Sequence, residues 1–106
     1  MSLRPPQNLS ASSFRFETGA NILDAEILSE KAASLGRAGT RVEAALAKLN
    51  DAEAVEKLGR DALLKDAADA VWTFFIQREA CGLRDQRAII ADMKIPRAVL
   101  VRLGAR

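Results

Sequence analysis

The stretch from Leu63 to Gly82 leaves this chain few ways to fold. On a helix each residue turns about 100° around the axis, so Leu64, Ala67, Ala68, Val71, Phe74, Phe75 and Gly82 share one broad face. Trp72 and Ile76 lie round to one side of it, Leu63 and Ala70 to the other, and only a strip through Thr73 and Gln77 stays polar. A helix that is apolar nearly all round is buried on several sides. In a chain of 106 residues this predicts a central helix over 62–81, covered by the rest of the chain or by a second copy.

A second pattern supplies its neighbour. Leu28, Ala32, Leu35, Gly39, Val42, Leu46 and Leu49 recur at alternating spacings of four and three, the seam of a coiled coil. The seam passes Gly36 and Gly39 in register, which predicts one helix over 20–50, ~45 Å long at ~1.5 Å per residue, with Asn21 as its N-cap. Each glycine costs a helix about 1 kcal/mol relative to alanine, so a break at Gly36 or Gly39 is the competing reading. Small residues on a seam also let a neighbouring helix come close.

Local signals divide the remainder. Asn50 with Glu53 imitates a capping box and predicts a short helix over 51–58. The apolar phase slips at Gly59-Arg60-Asp61, where a corner is expected, with Asp61 capping the central helix; one continuous helix from 51 is the alternative. Gly82 follows the last apolar turn and can take a positive φ, so it ends the central helix, with Leu83 folding back on the final turn and Asp85 capping the next helix. Two short helices follow, 86–93 and 96–103, with Pro96 in the first turn of the second and Gly104 at its end. The expected fold is an all-α helical bundle, with residues 19–104 as a single domain. Residues 1–18 read as a flexible or extended arm, because Pro5, Pro6 and the run Ser10, Ser12 and Ser13 resist regular structure while Phe14 and Phe16 alternate about Arg15. Aromatic residues are 5% of the chain against 49% hydrophobic overall, a balance that suits closely packed helices better than a sheet sandwich.

Arg78 stands one turn beyond Phe74 and Phe75 on the apolar face. A guanidinium placed there must be paired or hydrogen-bonded, and Glu79 and Asp85 are the candidate partners. The three residues read either as an anion or carboxylate site or as a structural ion pair that fixes helix register.

Charge is unevenly spread. Residues 84–106 hold six basic and two acidic side chains, whereas residues 20–83 hold eight basic and eleven acidic ones. A basic tail with Ile89, Ile90, Met93, Ile95, Leu100 and Leu103 at the apolar positions of a helix-turn-helix raises DNA as an alternative partner, with Lys94, Arg97 and Arg102 as the contacts. The pattern departs in three places. Ile90 is bulky where a small residue is usual, and Lys94 stands where glycine is usual. The would-be recognition helix has no Asn, Gln or Ser to read base edges.

The chain contains no histidine and one cysteine, so neither a Cys-His nor a Ser-His pair exists, and any metal would have to be held by carboxylates alone. Cys81 falls at the C-terminal end of a helix, where the dipole opposes a thiolate, and reads as an inert thiol. No phosphate-cradling glycine motif is present. We expect no catalytic, cofactor-binding or metal-binding residues, and no enzyme.

The run W-T-F-F-I-Q-R-E-A-C-G-L-R-D from Trp72 to Asp85, followed by I-P-R-A-V-L-V-R-L-G from Ile95 to Gly104, resembles a family of small bacterial proteins grouped as a domain of unknown function. The resemblance covers about residues 20–104, and its most specific part is Gln77–Asp85. It implies an intracellular, all-helical bacterial protein and implies no activity.

No apolar run approaches the ~18 residues that cross a bilayer, and a lone cysteine fits a reducing compartment, so no membrane association and a cytoplasmic location are expected. The long helices offer more apolar length than two short C-terminal helices can cover. A non-catalytic interaction module acting as a homodimer is therefore the favoured reading, with Leu28, Leu35, Val42 and Leu46, or the Trp72–Ile76 side, at the interface.

Overall fold

The computed structural model describes residues 18–104, and among these it is all-α, with five helices and no strand. They are α1 (Thr18–Leu49), α2 (Ala52–Leu58), α3 (Arg60–Ala80), α4 (Gln86–Met93) and α5 (Arg97–Leu100). The arm expected over 1–18, with Phe14 and Phe16, lies outside the described residues but for its last. The chain divides inside α1 into Met1–Lys31 and Ala32–Arg106.

In the second unit α3 is the centre. Leu63, Leu64, Ala67, Ala68, Ala70, Val71 and Phe74 are its buried residues. From α1 they meet Val42, Ala45, Leu46 and Leu49, and from the tail Ile95 and Val99. Three valines, Val42, Val71 and Val99, are the largest side chains shut off completely from solvent, one each from α1, α3 and α5. Apart from Phe74, the core is built from small and branched side chains, which lets the helices lie close.

Helix α1 runs unbroken through both glycines, as the seam predicts. Gly39 faces the ring of Phe74, and a Cβ there would stand 3.4 Å from Cε1. That is ordinary van der Waals contact, so the ring limits the room for a large side chain at this seam position without requiring glycine itself. Nothing lies within 4 Å of a Cβ at Gly36, so packing does not account for that glycine.

The local structure corrects the sequence reading in four places. Helix α1 starts at Thr18, so Asn21 lies inside its first turn and is not its N-cap. The cap of α2 is Asp51, whose side chain accepts from the Glu53 N–H at 3.1 Å; Asn50 instead finishes α1, its Nδ2 donating to the Leu46 carbonyl at 3.3 Å. Helix α3 begins at Arg60, one residue before Asp61, because Gly59 takes φ 86° and turns the chain directly from α2 into α3. No side chain caps that start. The last helix is four residues long, shorter than the expected 96–103. Its continuation tightens into turns in which the Arg102 and Leu103 N–H groups donate to Val99 and Leu100, three residues back. The chain then reaches Gly104, where a Cβ would stand 3.6 Å from the Trp72 ring.

The corner after α3 forms as its sequence predicts. Gly82 takes φ 83°; its N–H donates to the Glu79 carbonyl at 2.9 Å and the Leu83 N–H to the Arg78 carbonyl at 2.8 Å. This is the paired closure of a Schellman motif, and it answers two of the carbonyls a helix end leaves open. Asp85 then caps α4, its carboxylate accepting from the Ala88 N–H at 3.3 Å. The side of α3 bearing Trp72 and Ile76 is more open than the near-continuous apolar surface implies, with these residues 41% and 50% exposed. No helix of the described residues is long and apolar enough to cross a membrane.

Candidate functional site

Arg78 occupies the last turn of α3, where free carbonyls accumulate. Its Nη2 donates to the main-chain carbonyl of Asp85 at 3.1 Å, and its guanidinium carbon stands 5.9 Å from the centre of the Phe74 ring. Arg78 therefore straps the end of α3 to the start of α4 and lies over an aromatic face as it does so. Of the three residues predicted to cluster, the structure joins only Arg78 and Asp85, and through the backbone. The Asp85 carboxylate is spent on capping α4. Glu79 is exposed and takes part in neither ion pair found among the described residues. Two polar atoms of this corner, Arg78 Nε and Gln86 Oε1, are buried without a hydrogen-bond partner, one a donor and the other an acceptor. Cys81, beside them, is half-buried.

The three tail residues expected as DNA contacts, Lys94, Arg97 and Arg102, are not equivalent. Lys94 and Arg97 are exposed. Lys94 closes α4 in the left-handed region at φ 55°, the conformation for which a helix-turn-helix uses glycine. Arg102 is engaged elsewhere: its Nη2 meets the Asp61 carboxylate at 3.1 Å, tying the tail to the first turn of α3. This contact, and the ion pair of Arg41 with Asp66 at 3.6 Å between α1 and α3, had no signal in the sequence.

The interface residues fall into two groups. Val42 and Leu46 are consumed inside the chain's own core, and Leu35 is half-buried. Leu28, Trp72 and Ile76 face solvent. Leu28 is 65% exposed, and on the same stretch of α1 Ile22, Leu23 and Ile27 are 52%, 60% and 52% exposed. The last three went unnoticed in the sequence because the four-three count steps from Leu28 and passes over its neighbours. An open groove runs along this part of α1, lined by Leu23, Glu26, Ile27, Ser29 and Glu30. Among the described residues no three acidic or sulfur side chains gather as a metal site would require.

Over residues 1–106 the chain matches the family described as "Family of unknown function (DUF6665)", and it belongs to that family. No curated protein and no solved structure gives a match.

Proposed function

We propose that this member of the family is a non-catalytic helical module that works by associating with a second copy of itself through the first part of α1. The observation that carries this reading is the group of large apolar side chains Leu23, Ile27 and Leu28, each more than half exposed on a single helix. Such side chains favour burial by ~1.5–3 kcal/mol each when fully covered, and a contiguous exposed set of them marks an interaction surface. The Trp72–Ile76 side supports it less, since Gly104 already lies against the Trp72 ring. The absence of histidine and the single cysteine leave little for catalysis to use and suit a cytoplasmic setting.

Light scattering across a dilution series tests it. The expected mass at micromolar concentration is twice the 11.5 kDa of one chain, falling to one chain when Ile27 and Leu28 are both replaced by Lys. A wild-type chain that stays at the mass of one copy throughout rejects the reading.

DNA binding by residues 86–103 is the second reading. It draws on the left-handed turn at Lys94, the exposure of Lys94 and Arg97, and the basic character of the tail. The engagement of Arg102 with Asp61 and the four-residue length of α5 weigh against it.

A further inference from the structure

Two opposite charges bracket the apolar pair at the middle of this surface. Asp24 stands about one turn before Ile27-Leu28, and Lys31 about one turn after. At about 100° per residue, Asp24 and Lys31 fall within about 20° of each other around the helix, with Ile27 and Leu28 on either side of the line they define. All four side chains are exposed. Seven residues separate the two charges, a rise of ~10.5 Å, so they are too far apart to pair along one helix. Neither charge enters the ion pairs found among the described residues, Arg41–Asp66 and Arg102–Asp61.

This stripe is complementary to itself in one direction only. With a second copy laid antiparallel so that Ile27 faces Leu28, Asp24 of each copy faces Lys31 of the other. Glu26 then falls opposite Ser29, and Glu30 opposite Ala25, so no two carboxylates meet. A parallel partner would set Asp24 against Asp24 and Lys31 against Lys31. An antiparallel partner slid by one heptad would set Lys31 against Lys31, or Asp24 against Asp24, depending on the direction of the slide. Like charges placed opposite one another disfavour an arrangement, and coiled coils choose partner and register in this way.

We propose that α1 pairs antiparallel with α1 of a second copy, about a two-fold axis passing between Ile27 and Leu28, and that the two symmetry-related Asp24–Lys31 pairs select direction and register. The pairing rests on the self-association proposed above and names its geometry. Ile22 lies about 160° round the helix from Asp24 and takes no part in it.

The experiment is a charge exchange, read as the dimer dissociation constant by light scattering or sedimentation at low salt. Both positions are exposed, so Asp24→Lys and Lys31→Asp are expected to leave helix content unchanged by circular dichroism. Each single variant is expected to weaken self-association by about tenfold or more, because it turns two attractive contacts into two repulsive ones. The double variant D24K/K31D is expected to return to within about threefold of the wild type, since the pairs are restored with their signs exchanged. Mixing the two single variants is expected to give a heterodimer tighter than either homodimer. A wild-type dimer whose strength neither single variant changes, or a double variant that stays as weak as the singles, overturns the register while leaving self-association in place. A wild type that never dimerises overturns both.

Discussion

Lys94 is the one non-glycine residue among the described ones with a positive φ. A side chain in that conformation costs roughly 1 kcal/mol, and the turn persists because of its neighbour Ile95. The Ile95 N–H donates back to the Ile90 carbonyl at 3.0 Å, and the Ile95 side chain drops into the core, 6% exposed. Burial of one isoleucine, about 1.5–3 kcal/mol, exceeds the strain that delivers it. Gly36 presents the opposite mismatch, a glycine inside a helix with open space where a Cβ would go. Exchanging the two kinds of residue should therefore help at both places. Lys94→Gly and Gly36→Ala are each expected to raise unfolding stability by about 0.5–1 kcal/mol, read from the urea midpoint with an unchanged slope. A loss of stability at Gly36→Ala would mean that its exposed side is covered in solution.

At the level of elements, the chain is legible wherever a signal and its consequence lie within a few residues. The seam marked α1 as continuous because the period is carried by residues three and four apart. The corner at Gly82 and the cap at Asp85 were legible for the same reason. Where two candidates stand side by side, as Asn50 and Asp51 do, the residue that captures the cap depends on backbone angles that adjacency does not reveal. The ends of α3 and α5 were missed for different reasons. Gly59 opens α3 through its own positive φ, without a side-chain cap, and α5 is cut short as the chain turns to reach Trp72 and Asp61. The pairing of Arg102 with Asp61 joins residues 41 apart, a distance over which composition and spacing carry no information. The same seam contributes Val42 to the core and leaves Leu28 to solvent, because a repeat fixes which face is apolar and leaves open what covers it.

The strap at the α3–α4 corner yields a prediction at this scale. Arg78→Met is expected to cost about 1 kcal/mol, the worth of a largely solvent-accessible hydrogen bond from a charged donor. Because the acceptor is the Asp85 main-chain carbonyl, the same loss should be measured in a background carrying Asp85→Asn. A double-mutant cycle in urea checks this, and a coupling well above the scatter of the measurement would show that the carboxylate itself is the partner.

For the whole molecule, stability is expected to be unequal along the chain. The core residues of α3 are enclosed by α1 and the tail, whereas residues 22–31 are exposed along their whole length. Hydrogen exchange should find the amides of α3 protected at every protein concentration. Those of 22–31 should exchange quickly when dilute and slow down as concentration rises. Protection of 22–31 that is high and independent of concentration would show that the chain covers this surface by itself.

The contact between Gly104 and Trp72 has a practical consequence. Trp72 is the only tryptophan and the chain has no tyrosine, so ultraviolet emission reports almost entirely on one indole, against which the last described residue rests. Lifting the tail from α3 would wet that ring and shift its emission to longer wavelength while the helices stay formed. The molecule thus carries an intrinsic optical reporter of whether its tail is seated, readable without a label and independently of circular dichroism.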